Sequence, residues 1–335
     1  MSRRSIKILF CWVITVLALY YAFHAAKWDE LFDHIRNANK RYILFAFCLT
    51  IMSYFYRARR WQFLFPEKRS VSYITSAKVL ILGFFMNNIL PARAGEIVRA
   101  HMGSKATGMS RTLVLATIAS ERLLDGLAIS LYFVIFSFGI GGSKISHELL
   151  YVAYLFAVAT AGVGLVILFR NKIFRAIEAL NDKLGHKAAD YTLQRIKIFI
   201  DGLGPLFYKE RFPIVSLWSL FIWLNELMVF TLVGLAYGVR MDLSFYVLFM
   251  VALNFSSLIP AAPGGIGVVE AVVKTVLVSV GIDPEVALAM VLTQHIMQYV
   301  VVGVPGAIIM FTWRDRIKQD EIVTNIEGAG SIKGT

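Results

Sequence analysis

The 335-residue sequence is poor in charge. Asp, Glu, Lys and Arg make up 17% of it, against 58% hydrophobic residues and a mean hydropathy of +0.65. Soluble domains run at about 25% charged and about 45–50% apolar, so a soluble fold would have to expose large greasy patches. Cysteine is scarce too. Cys11 and Cys48 both lie inside apolar stretches, which excludes a disulfide framework and leaves them as free packing residues. Acid is the minority sign, with 22 Asp and Glu against 34 Lys and Arg and a net charge of +12. That excess could suit nucleic acid, but the basic residues fall in short runs beside apolar stretches, and no basic helix or RNA-binding motif is present. Nucleic acid is therefore not an expected partner. The sequence also lacks metal-ligand spacing and nucleophile motifs, so neither a metal nor a cofactor is expected.

What is there is a series of apolar runs. Arg3, Arg4 and Lys7 precede the first, from Ile8 to about Ala26. A signal peptide also starts this way, but this run can cross a bilayer, which takes roughly 20 residues, and no small-x-small cleavage site follows it. It is read as an uncleaved span. Full-span candidates cover about 8–26, 42–56, 112–138, 148–169, 213–238 and 286–311. Two further stretches, 71–90 and 243–280, are broken at Pro91 and across Pro260-Ala-Ala-Pro263-Gly264-Gly265. Such backbone is tolerated at membrane depth only where protein or water covers it. The expected fold class is thus all-α, a polytopic membrane helix bundle of about six full spans plus two re-entrant broken-helix hairpins.

Basic residues weigh on one side. Segment 57–69 holds Arg57, Arg59, Arg60, Lys68 and Arg69 against Glu67, and segment 170–211 holds nine Lys and Arg against five acids. If each broken stretch enters and leaves by the same side, both segments and both termini are cytoplasmic. Loop 27–41 is the exception, with four basic and three acidic residues on the outside. Trp28, Trp61 and Trp313 fall at span ends, as interfacial tryptophans should. Within 170–211, Ile173, Phe174, Ile177, Leu180 and Leu184 recur at helical spacing, which predicts an amphipathic cytoplasmic segment. The membrane domain is expected over 1–313 and a disordered polar tail over 314–335.

The broken stretches also look like copies. Asn87-Asn88-Ile89-Leu90-Pro91-Ala92 lies over Ser256-Ser257-Leu258-Ile259-Pro260-Ala261. Each is followed by an acid, Glu96 or Glu270, and then by a span with a polar cluster: Glu121-Arg122-x-x-Asp125 or Gln294-His295-x-x-Gln298. In the topology above the two hairpins enter from opposite sides, an inverted repeat of the kind secondary transporters build around a midplane site.

A charge at mid-helix costs about 2.5–3.5 kcal/mol when it faces lipid, so the face carrying Glu121, Arg122 and Asp125 must point inward. Arg122 can reach Asp125 three residues on, leaving Glu121 for Arg93 or Arg99. Such a network can simply pin helices together, or it can leave an arginine for a lipid phosphate. Glu226, beside Asn225, is read as a protonated core residue, a proton relay or a partner of Lys274, and His295 as a satisfied polar contact. Gly264-Gly265-x-Gly267 does not follow a strand, so it is not a dinucleotide fingerprint. Its glycines either allow close packing or open a half-helix whose N–H groups can hold a phosphate.

The combined motifs Asn88-x-x-Pro91-Ala-Arg93-Ala-Gly95-Glu96-x-x-Arg99, Glu121-Arg122-x-x-Asp125 and Pro260-Ala-x-Pro263-Gly264-Gly265-x-Gly267-x-x-Glu270 resemble the lysylphosphatidylglycerol synthase transmembrane-region family, also described as flippase-like, over about 5–312. The resemblance implies translocation of an anionic lipid or polyprenyl-linked lipid across a bacterial inner membrane. It also implies a stand-alone member without the aminoacyl transferase domain, and a separately encoded lipid-modifying enzyme as partner. The alternative is a membrane enzyme or accessory subunit acting on lipid headgroups, with Glu121, Asp125 or Glu270 as acid or base. The candidate substrate-binding residues are Asn88, Arg93, Glu96, Arg99, Glu121, Arg122, Asp125, Glu226, Gly264, Gly265, Gly267, Glu270, Gln294, His295 and Gln298.

Overall fold

The computed structural model describes residues 3–66, 71–137, 187–206, 210–257 and 263–331, with 158, 162, 165, 169, 172, 175 and 259 besides. Most of the expected span 148–169, the loop 139–147, most of 170–186 and Pro260-Ala261 lie outside the described residues. Among the described residues there are helices and no strands: an all-α membrane bundle. Two of the described helices are long and apolar enough by composition to cross a bilayer, Phe212–Ala236 and Pro284–Trp313. Much of the outer surface is apolar, with Leu17, Ile97, Leu217, Ile296 and Phe311 all more than half exposed, a belt that suits lipid rather than water.

Helices α1 (Arg3–Phe23), α2 (Trp28–Asn37) and α3 (Lys40–Phe63) come first. Next is a broken hairpin of α4 (Tyr73–Ile89) and α5 (Gly95–Thr107), joined by a 3-10 turn over Pro91–Arg93. Pro91 ends α4 because its ring pushes the residue before it out of the α region. Leu90 is accordingly extended, at φ −99 and ψ 140. Helix α6 (Arg111–Ser137) follows, and later α7 (Lys187–Gly202) and α8 (Phe212–Ala236). A second broken hairpin, α9 (Leu243–Ser256) and α10 (Val268–Ser279), carries a 3-10 turn at Pro263–Gly265. The last helix is α11 (Pro284–Ser331), which continues without a break through residues 314–331, where a disordered tail was expected.

The two hairpins open at opposite ends of the bundle. Arg211, just before α8, donates to the carbonyls of Phe63 and Phe65 at the end of α3, at 3.0 and 2.7 Å. Gln62 donates to Val71 O at 2.6 Å, so α4 also begins at that end. At the other end Asn39 N, before α3, donates to Ala236 O of α8 at 2.8 Å. Helix α9 begins seven residues later, at that same end. The series α3–α4–α5–α6 is thus repeated, end for end, by α8–α9–α10–α11. Helices α3 and α8 pack side by side as the central pair, and the two hairpin tips pack on each other. Two apolar clusters flank the middle, one around Trp61, Val79, Val114 and Val215, the other around Phe133, Phe230, Phe249 and Val273. Trp61 is therefore core, 1% exposed, not the interfacial residue the sequence reading expected. It reaches Thr117 Oγ1 at 3.1 Å.

Candidate functional site

Between the apolar clusters lies a layer of charge. On α3, Ser53, Arg57 and Arg60 fall at i, i+4 and i+7 and share one helix face. Arg60 is fully buried and donates to Asp125 Oδ1 at 2.7 Å and to Ser219 at 2.9 Å. Arg57 lies 3.5 Å from Asp125 Oδ2 and 3.1 Å from Glu226 Oε1. Ser53 donates to that same Glu226 oxygen at 2.6 Å. Trp223 donates to Asp125 Oδ1 at 3.0 Å and lies beneath the Arg57 guanidinium. On the other flank Arg99 grips Glu121 with two bonds of 2.9 Å, stacked 4.0 Å over Trp61. Arg122 bridges, at 2.8 Å from Glu121, 3.4 Å from Glu96 and 3.8 Å from Asp125.

In the second repeat His295 of α11 stands where Arg122 stands on α6. Its Nδ1 is 2.6 Å from Glu270 Oε1 and its Nε2 is 3.0 Å from Gly264 O. Glu270 Oε2 accepts from Gly267 N at 2.6 Å. The start of α10 is thereby capped from within the chain. The N–H of Gly267, one of those a phosphate could use, is thus already held by a carboxylate.

The layer encloses a cavity of about 420 Å³ between the hairpin tips and α3, α6, α8 and α11. Ten of the expected site residues line it: Asn88, Arg93, Glu96, Arg122, Asp125, Glu226, Gly264, Gly265, His295 and Gln298. Arg99, Glu121, Gly267, Glu270 and Gln294 do not; they stand behind its wall. Gln294 is fully buried, and neither atom of its amide has a hydrogen-bond partner among the described residues.

Two pairings differ from expectation. Glu226 is partnered by Arg57 and Ser53, not by Lys274, whose Nζ donates to Ala22 O at 2.9 Å. Arg93 does not join the carboxylates. It crosses to the other repeat and donates to Ser257 O at 3.2 Å and Ser257 Oγ at 2.7 Å, at the C-terminus of α9, where a helix end favours a cation. Its backbone sits at φ +54, the one positive φ outside glycine among the described residues, a conformation costing about 1–2 kcal/mol. Five arginines, 57, 60, 93, 99 and 122, therefore face four carboxylates, 96, 121, 125 and 226. Among the described residues no carboxylate lies within ion-pair distance of Arg93.

Sequence reasoning missed Arg57 and Arg60, assigned to a cytoplasmic loop, and the cavity residues Tyr54, Asn87, Trp223, Asn254, Ser257 and Tyr299. A signal for the arginines existed in their shared helix face with Ser53. The charge count at the span end hid it.

An end-for-end repeat of helices around a central charged cavity, under an apolar outer surface, defines a polytopic membrane protein. The chain matches the model of the lysylphosphatidylglycerol synthase TM region over residues 7–306, and it belongs to that family. It is 25% identical over 315 residues to a UPF0104 membrane protein of Methanocaldococcus jannaschii, covering 84% of this chain and 88% of that one. A UPF0104 membrane protein of Pyrococcus horikoshii is 24% identical over 294 residues, covering 82% and 88%. A protein named glycosyltransferase AglD, of Haloferax volcanii, is 24% identical over 339 aligned positions, covering 90% of this chain but 54% of that protein. No solved structure matches the chain.

Proposed function

We propose that the chain carries the anionic headgroup of a phospholipid or polyprenyl-linked lipid through the central cavity, while the acyl or prenyl chains stay in the bilayer. The observation behind this reading is the uncompensated Arg93, poised at the junction of the two hairpins and facing the cavity. A phosphate there would gain charge-assisted bonds from Arg93 and from Arg122, the most exposed of the paired arginines at 29%. The end-for-end repeat supports transport, because it offers two equivalent closures on opposite faces.

The site of action we propose is the cytoplasmic membrane of a bacterium, with both termini inside. Lys105, Arg111, Arg195, Lys197 and Arg211 lie toward the end that holds the start of α1, whereas at the other end Lys27, Arg36, Lys40, Arg41 and Arg240 are offset by Asp29, Glu30, Asp33, Asp242, Asp283 and Glu285, a balance that supports that orientation. The second reading is a membrane enzyme or accessory subunit acting on lipid headgroups. It draws on the relative named as a glycosyltransferase and on the carboxylates in the cavity wall.

The test is movement of fluorescently labelled phosphatidylglycerol across proteoliposome membranes. Arg93→Ala should reduce the rate, and Gln194→Ala on exposed α7 should match wild type. A folded Arg93→Ala protein that moves the probe at the normal rate overturns the role given to Arg93. A wild-type protein that moves neither labelled phosphatidylglycerol nor a labelled polyprenyl phosphate puts the enzyme or subunit reading first.

A further inference from the structure

The pair Glu270–His295 carries information that the arginine network does not. Gly264 O is a carbonyl and can only accept, so the Nε2 that faces it at 3.0 Å must bear a proton. Nδ1 faces Glu270 Oε1 at 2.6 Å, and two lone pairs cannot meet at that distance, so a second proton lies between them. The geometry therefore requires one proton more than a neutral imidazole beside a carboxylate supplies. The other carboxylate oxygen is occupied by Gly267 N–H.

We propose that Glu270 and His295 form a proton-binding site whose loading latches the second hairpin tip to α11, and whose unloading releases it. The release follows from bond strengths. When the extra proton leaves, the imidazole keeps one N–H and must choose between two acceptors. The bond to the carboxylate is charge-assisted and roughly twice as strong as one to a carbonyl. The remaining proton moves to Nδ1, Nε2 turns its lone pair on Gly264 O, and the tip loses its tie. Gly264 and Gly265 at that tip have φ of +69 and +75 and line the cavity, so the loosened segment is part of the cavity wall.

The first repeat holds the contrast. There Arg122, 3.4 Å from Glu96, takes the equivalent place, and a guanidinium does not give up its proton. One tip is thus fixed in charge, while the other holds its extra proton on an imidazole, which can give it up. The charged neighbours already have partners. Each acid in the cavity wall is held by arginine: Glu96 by Arg122, Asp125 by Arg57 and Arg60, and Glu226 by Arg57. On α10 itself Lys274 is tied to Ala22 O, and on α11 Tyr299 faces Pro263 O. Helix α9 contributes no charged side chain, and α1 brings Thr15 and Leu19 against the tip. His295 lines the cavity, which gives the proton a path to water.

As a proton site this stands on the geometry of the pair; as the coupling that drives lipid movement it rests on the reading proposed above. The two are tested separately. Nitrogen-15 spectra of histidine-labelled protein in lipid nanodiscs, with His295 assigned by a His295→Asn comparison, read the ring's protons directly. Across a series of rising pH His295 should pass from a doubly protonated ring to one protonated at Nδ1 alone. Glu270→Gln should abolish the transition, because the amide N–H can donate to Nδ1 and leave Nε2–H on Gly264 O at every pH. A His295 ring that stays in one neutral form over that series in wild type overturns the proton site. The second arm imposes a pH gradient on proteoliposomes carrying fluorescent phosphatidylglycerol. Movement should depend on the gradient in wild type and lose that dependence in Glu270→Gln. Movement indifferent to the gradient overturns the coupling, while a protein that titrates as expected and moves no probe overturns the transport reading and its coupling and leaves the latch standing.

Discussion

Replacing Arg99 with methionine tests whether the charged layer has separable parts. Arg99 and Glu121 are 2% and 0% exposed and share two bonds of 2.9 Å. Methionine keeps the unbranched stem over Trp61 and removes the charge. Glu121 is then left buried with one partner, Arg122 Nη2 at 2.8 Å. Removing one member of a buried pair costs about 3–5 kcal/mol, and the remaining contact sets the loss at the lower end. The folded-to-unfolded ratio should fall about a hundredfold. Adding Glu121→Gln removes the stranded charge, so the double variant should recover most of that loss. The assay is equilibrium unfolding of all four proteins in lipid nanodiscs, read as a double-mutant cycle. A coupling below about 0.5 kcal/mol would refute the reasoning. Neither side chain lines the cavity. The double variant should therefore move labelled lipid at the wild-type rate per folded molecule, which separates this pair from Arg93.

Glu226→Gln frees Arg57 from its nearer carboxylate and adds a positive charge to the cavity. More anionic lipid should copurify with that variant, as counted by native mass spectrometry, together with a lower melting temperature. Gly306→Leu places a side chain where even a Cβ would run into Phe85, so the close approach of α11 to α4 should fail, with a loss of about 1–3 kcal/mol in the same unfolding assay. Single cysteines at Ser279 and Gln194, in a background lacking Cys11 and Cys48, read the orientation. In intact cells an impermeant maleimide should label the cysteine at 279 and spare the one at 194, and the reverse pattern would invert the bundle.

The sequence displayed its architecture well because membrane physics leaves few choices. Proline at 91 and the Pro-Gly run at 263–265 had to break helices, and Arg122 and Asp125 had to face inward; both follow from local cost alone. Matching the spacing of Glu96 and Glu270 to the clusters that follow them was enough to see the repeat. Partner choice was not visible. Arg57 and Arg60 counted as loop charges because composition near a span end cannot separate a solvated arginine from one that reaches an acid 65 residues away. Arg93 crosses 164 residues to Ser257, and nothing in its neighbourhood announces that bond. Gly265 illustrates the limit of reading glycine as space. The sequence reading took it as room for close packing or for a phosphate. At φ +75 any side chain there also carries a backbone cost of about 1–2 kcal/mol.

The long reach of these ion pairs has a consequence for how the chain is made. Helix α3 emerges from the ribosome with Arg57 and Arg60 and without the acids that will hold them. Asp125 arrives 65 residues after Arg60, and Glu226 arrives 169 residues after Arg57. At roughly 5–20 residues per second, Glu226 lags by roughly 8–35 seconds. Over that interval each arginine would cost about 2.5–3.5 kcal/mol in the lipid interior, so both should hold their end of α3 toward the headgroups. The helix that becomes half of the central pair thus waits in a shallow position and sinks to its final depth only when α6 and α8 deliver its counterions, which makes the order of synthesis part of the folding code.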